Sequence, residues 1–201
     1  MRSKVDEVVS KAEALLKKNK YDKAHDINHH KRVWKMAEDI ARNIKDNTDK
    51  DVLRIACMWH DVIIKKHGTE FRNHSHITNA TANYLKRYML GLGFTHLEAK
   101  KAYLAVKHHE FNDKPLNIEG KILFDADKLD ALTPERSLWF AHSKQGRNSL
   151  WNLKLLLLSK KIIRFYIKRK FHFKYSQELF EERIRRLKEY NEKQKVLASS
   201  A

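Results

Sequence analysis

The stretch HHKRVWKMAEDIARNI, residues 29–44, decides how this chain is read. Within it His29, Val33, Met36, Ala37, Ile40, Ala41 and Ile44 recur at steps of three and four, the spacing of one face of an α-helix. A histidine opens an otherwise apolar stripe. His29 is therefore expected to face a helical core.

The same period continues outward on both sides. A helix is expected near residues 3–19, then a turn from Asn19 to Asp26, with Asp26 as the preferred cap of the next helix and Asn28 as the alternative. Thr48 or Asp49 caps a third helix in which Val52, Ile55, Ala56, Trp59 and His60 share one side. A loop with Lys65, Lys66, His67 and Gly68 leads to a fourth helix near 75–90, closed by Gly91 and Gly93. A fifth helix near 95–109 ends in His108, His109 and Glu110, before an FNDKP loop that Pro115 keeps from continuing as helix. A sixth carries Ile122, Leu123, Asp127, Asp130 and Ala131. Thr133 and Pro134 open a seventh, and two more cover roughly 148–169 and 175–194. A soft boundary near residue 146 separates a domain of residues 1–146 from basic C-terminal helices, 147–201, expected to pack on it.

Composition agrees with an all-α chain. Five Gly and two Pro in 201 residues leave few breaks, and the length suits one domain with a helical extension, with no room for a second catalytic domain. Cys57 is the only cysteine, so no internal disulfide forms, and its apolar surroundings suit a buried hydrophobe. The N-terminus lacks a signal-peptide pattern, and Leu155 to Leu158, the longest apolar run, cannot span a bilayer. A cytoplasmic protein without membrane association is expected. The formal charge of +17 favours anionic partners such as nucleotides, nucleic acid or acidic headgroups without choosing among them.

Three separate helices thus deliver His29, the pair His60–Asp61, and Asp127 to apolar faces. Imidazole nitrogens with carboxylate oxygens suit Mn²⁺, Fe²⁺, Co²⁺, Ni²⁺ or Zn²⁺, whereas Mg²⁺ prefers more oxygen ligands. Taken singly each residue has an ordinary reading: a hydrogen-bonded core histidine, a helix-end pair, an aspartate paired with a lysine. Their coincidence on inward faces points to a metal.

The segments HDINHHKRVWKMA (25–37), ACMWHDV (56–62) and FDADKLDAL (124–132) resemble, in order, the three signature blocks of the HD superfamily of metal-dependent phosphohydrolases. The resemblance covers roughly residues 20–145 and is nearest to small stand-alone members with nucleotide phosphohydrolase or pyrophosphatase activity. It implies a compact helical bundle and a divalent metal held by His29, rather than His25 or His30, together with His60, Asp61 and Asp127. Asp125 and Asp130 become candidates for orienting ligands or water, or are plain salt-bridging residues. The implied reaction is hydrolysis of a phosphoester or phosphoanhydride bond of a nucleotide-like substrate by metal-activated water, with Asp61 helping to orient the water. His109, Glu110 and Lys128 are the candidates for protonating or stabilising the leaving oxygen. Lys65 and Lys66 are candidate phosphate neutralisers or a solvated basic loop, and the role of His25 stays open.

His76, His108 and His109 are candidates for a second metal or for the rim of the site. The segment HHEFND (108–113) resembles that of cyclic-dinucleotide phosphodiesterases in the same superfamily, but the Gly-Tyr-Pro that should follow is missing and HDVIIK departs from HD-x-G-K. Cyclic-nucleotide cleavage is therefore a minor alternative, and a polar helix end is the equal reading of 108–110. A single metal is the base case.

The C-terminal part sets Lys160, Lys161, Arg164, Lys168, Arg169 and Lys170 beside Trp151, Phe165, Tyr166, Phe171 and Phe173. Cations interleaved with aromatics suit single-stranded nucleic acid, so an inactive HD scaffold that binds nucleic acid is the alternative function. Helical spacing instead predicts a packing stripe of Leu155, Leu158, Ile162 and Phe165, with the cations on a solvated face. The last helix, with Phe180, Ile184 and Leu187 on one side, is expected to pack back on the domain or to mediate a homodimer.

Overall fold

The computed structural model describes residues 3–18, 26–62, 74–133 and 161–199. Among them stand eight helices and no strand: α1 (Lys4–Lys18), α2 (Ile27–Asn43), α3 (Lys50–Trp59), α4 (His74–Gly91), α5 (His96–Lys107), α6 (Ile118–Asp130), α7 (Lys161–Lys168) and α8 (Lys174–Ser199). No described helix is long and apolar enough to cross a membrane. The chain divides into two compact units, residues 1–126 and 127–201, and the division falls within α6. The expected boundary at 146 and the seventh helix after Pro134 lie outside the described residues. So do His25, Lys65, Lys66, His67, Trp151, Leu155, Leu158 and Lys160.

In the first unit α3 is the central element. Val52, Leu53, Ile55, Ala56, Cys57, Met58 and Trp59 are all buried, so it is apolar nearly all round rather than on the one side its spacing suggests. It packs against α1, α2, α4 and α5. Trp59, fully buried, donates its Nε1–H to the carbonyl of Val8 at 3.0 Å and places its ring 5.6 Å from that of Tyr84, which joins α1, α3 and α4.

The helix ends are built as the sequence suggests. Asp26 accepts from the His29 N–H at 2.9 Å, Asp49 from Val52 N–H at 3.2 Å, and Thr95 forms a reciprocal capping box with Glu98. The hydrogen bonds from Thr95 hold the Glu98 carboxyl below its usual range. Gly93, at φ 75°, takes the left-handed turn that ends α4, and its carbonyl accepts from Lys4 of α1 at 2.8 Å. Where α6 begins, Asn117 Oδ1 accepts from Gly120 N–H. Asn117 Nδ2 donates to the Lys101 carbonyl and to Glu119, and Glu119 accepts from Asp49 N–H. This partly buried polar network ties the starts of α3 and α6 to α5.

Two helix ends depart from expectation. α3 stops at Trp59 with His60 as its C-cap, and α5 stops at Lys107 with His108 as its C-cap. His60, Asp61, His109 and Glu110 consequently stand just past the helices that were expected to carry them.

In the second unit α7 meets α8 through Arg164 and Lys168, whose side chains lie 3.7 and 3.3 Å from Glu181. Phe171 packs against Phe180 at 5.3 Å between ring centres. Phe180, Ile184 and Leu187 are buried within the single chain, so this stripe is already covered. Phe165 is 62% exposed and does not pack inward. The spacing argument is overturned here because α7 presents its cations, and not this aromatic, to α8.

Candidate metal centre

α3 and α5 finish in the same way. The last carbonyls of an α-helix have no partner within it, and in each helix a histidine reaches back three residues toward one of them. His60 Nδ1 lies 2.9 Å from the Cys57 oxygen, and His109 Nδ1 lies 2.6 Å from the Val106 oxygen. A carbonyl oxygen only accepts, so each Nδ1 carries a proton, and in its neutral form each ring presents a lone pair at Nε2. That is the nitrogen a metal would need.

Those nitrogens converge on neighbouring donors. His29 Nε2 lies 3.0 Å from His60 Nε2, while the two oxygens of Asp61 lie 3.4 Å from His60 Nε2 and 3.5 Å from His109 Nε2. Glu110 follows at 3.8 Å from His109 Nε2. Two donor groups, His29 with His60 and Asp61, and Asp61 with His109 and Glu110, each hold their ligand atoms within 4.8 Å of one another. His29, His60 and His109 are buried, and Asp61 and Glu110 are partly exposed. Imidazole lone pairs and carboxylates gathered this closely are mutually unfavourable until a proton or cation joins them. The donor chemistry fits a divalent metal.

The remaining site candidates are placed as follows. His108 caps α5 with its backbone N–H on the Leu104 carbonyl. His76 lies in the first turn of α4, with its side chain outside the described part. Asp127, the first residue of the second unit, is buried on α6, and Lys128 Nζ donates to its Oδ2 at 2.7 Å. The lysine anticipated at the leaving group is thus paired with the neighbouring aspartate. Asp125 and Asp130 are buried.

Residues 26–132, more than half of the chain, match the sequence model of the HD domain. The chain belongs to the HD-domain family. No curated protein sequence matches it. Solved structures sharing the HD fold include a predicted HD superfamily hydrolase from an uncultured Thermotogales bacterium, 23% identical at a TM-score of 0.66, the match covering 98% of this chain and 92% of that one. Bacillus subtilis YpgQ in complex with ADP is 22% identical at a TM-score of 0.66, covering 94% and 92%. A further structure of YpgQ is 20% identical at 0.63, covering 93% and 91%.

His30, which the resemblance passes over in favour of His29, belongs to the same buried cluster of the HD domain. His30 is fully buried, its Nδ1 shares the Cys57 carbonyl with His60 at 3.0 Å, and its ring centre lies 4.4 Å from that of His60. The signal was available, since positions 30, 33, 37 and 40 also fall on the buried face of α2. Its Nε2 is buried without a partner. Burial holds the His30 imidazole well below its usual value of 6.5, and His60 and His29 push the same way. A depressed basic group leaves the unfolded chain with the greater proton uptake, so its contribution to stability is full above pH 6.5 and is lost as pH falls toward the folded value. In chelated protein, denaturant unfolding at pH 7.5, 6.5 and 5.5 is expected to show His30→Leu with a shallower acid-side slope than wild type. The difference approaches ~1.4 kcal/mol per pH unit for one proton. Parallel slopes would mean that His30 titrates normally.

Proposed function

We propose that this HD protein is a metal-dependent phosphohydrolase that cleaves a phosphoester or phosphoanhydride bond of a nucleotide-like substrate. The observation that carries the reading is the approach of His29 Nε2 and His60 Nε2 to 3.0 Å with both Asp61 oxygens alongside. His29, His60 and Asp61 would hold the metal, with Asp127 as the fourth ligand indicated by the third sequence block. The mixed set of two imidazoles and two carboxylates favours Mn²⁺, Fe²⁺, Co²⁺, Ni²⁺ or Zn²⁺ over Mg²⁺. When bound, such an ion supplies an activated water and Lewis acidity toward a phosphate oxygen.

The protein's own groups supply positioning and proton transfer. Asp61 touches both His60 and His109, so it couples the ligand cluster to the residues that handle protons. His109 has its Nδ1–H committed to Val106, so Nε2 is the atom that gains or gives a proton, and Glu110 beside it favours the charged ring. His109 and Glu110 are the proton donors to the leaving oxygen. Lys128 balances Asp127. The ADP complex of YpgQ supports a nucleotide as the substrate type.

The reading is tested by supplying the purified protein in turn with Mn²⁺, Co²⁺, Ni²⁺, Zn²⁺ and Mg²⁺ and following phosphate and pyrophosphate release from nucleoside mono-, di- and triphosphates. Turnover is expected with the transition metals and weaker turnover with Mg²⁺. Metal-loaded protein that hydrolyses none of the panel would leave only the inactive-scaffold reading.

A further inference from the structure

We infer that the α7 region of the second unit is a binding surface for single-stranded nucleic acid, with Phe165 and Tyr166 as stacking platforms. Phe165 and Tyr166 are 62% and 59% exposed, two large rings side by side on one short helix. Leaving such rings in water forfeits the burial that usually holds an aromatic in place. Each has a cation near its ring, Arg169 5.6 Å from the Phe165 centroid and Lys170 5.4 Å from that of Tyr166. A base stacked on either ring would therefore bring its phosphate close to positive charge.

The cations that hold α7 in place are different ones. Arg164 and Lys168 pair with Glu181 of α8; at about 100° per residue Tyr166 lies about 160° from both, while Phe165 lies about 100° from Arg164 and about 60° from Lys168. Tyr166 is thus displayed away from the anchoring cations and Phe165 at their flank, both exposed. Between Glu135 and Glu178 the sequence contains no acidic residue and eleven Lys and Arg, so apart from the two cations paired with Glu181 the segment keeps its attraction for a polyanion. The charge complementarity favours a phosphate backbone, and the exposed rings favour unpaired bases, which offer a free π-face as those of a duplex do not. An anionic membrane shares only the charge requirement, since two rings on an eight-residue helix make a small apolar face for insertion.

Fluorescence anisotropy with labelled 20-nucleotide oligo(dT) and oligo(U), the matching duplexes, and phosphatidylserine vesicles tests the surface in the full-length protein. Single strands are expected to bind more tightly than duplexes or vesicles. Phe165→Ala and Tyr166→Ala each weaken single-strand binding by about tenfold at fixed salt. Lys161→Gln with Arg169→Gln lowers the slope of log affinity against log salt by about 1.4. Because all four positions lie on the surface, circular dichroism should show unchanged helicity in every variant, and Asp61→Ala should bind oligonucleotide as wild type does. Affinity that survives loss of both rings, or that is as strong for duplex or vesicles, overturns the inference.

Discussion

Asp61→Ala is expected to lower kcat about a thousandfold, on the order of 4 kcal/mol of transition-state stabilisation, and to reduce metal content in the purified protein. Asp61 is the residue at which the two donor groups meet, one oxygen toward His60 and the other toward His109. Its removal therefore takes a proposed ligand from the first group and a charge partner from the second. Stability separates this role from that of a structural ion pair. Were Asp61 mainly a salt-bridge residue, the chelated variant would melt below the chelated wild type. For a metal ligand the loss appears when metal is added: wild type gains about 2.7 kcal/mol at a free metal concentration a hundred times Kd, and the variant gains little. Calorimetry with and without metal, beside elemental analysis, reads both quantities. A variant that keeps its metal and its turnover would sink the assignment.

Trp59→Ala is expected to be the most destabilising single change in the first unit, by about 4 kcal/mol. The side chain is fully buried between Tyr84 and Tyr88, and its removal opens a cavity where three helices meet. It also deprives the Val8 carbonyl of a buried donor. Against a whole-protein stability of about 5–15 kcal/mol this is a large fraction, visible as a fall in Tm of roughly 8–16 °C for a chain of this size. Trp59→Phe keeps most of the volume and loses only the hydrogen bond, so it should cost about 1–2 kcal/mol. Urea unfolding of both variants checks the ordering. Equal costs would show that the bond to Val8, rather than packing, carries the contact.

These outcomes depend on features that were unequally legible in the sequence. His29 could be picked out because it begins a long amphipathic helix, where period and burial agree, and the caps at Asp26 and Asp49 followed from side-chain chemistry that acts within three residues. His60 and Asp61 were found by their block, although the block could not say that the helix stops one residue earlier and that His60 turns back on Cys57. The first block selects His29, four residues before Val33, over His30, and that spacing says nothing of whether His30 is buried as well. The difference between His108 and His109 rests on where α5 ends, and periodicity alone places a helix end only to within a few residues. Phe165 was misjudged for a different reason. In a helix as short as α7 the apolar and basic sides are equally regular, and which one meets α8 is decided by Glu181, which lies beyond the helix in the following one.

The backward reach of His60 and His109 to carbonyls of their own helices has a consequence for how a metal would be acquired. Ring orientation and tautomer are already set by the backbone, so loading requires little ordering of these two side chains and little change in helical content. On the proposed reading these two rings would offer a metal a preset template rather than a clasp that forms around it, and selectivity among metals would be governed by ligand type and spacing more than by adaptation of the fold.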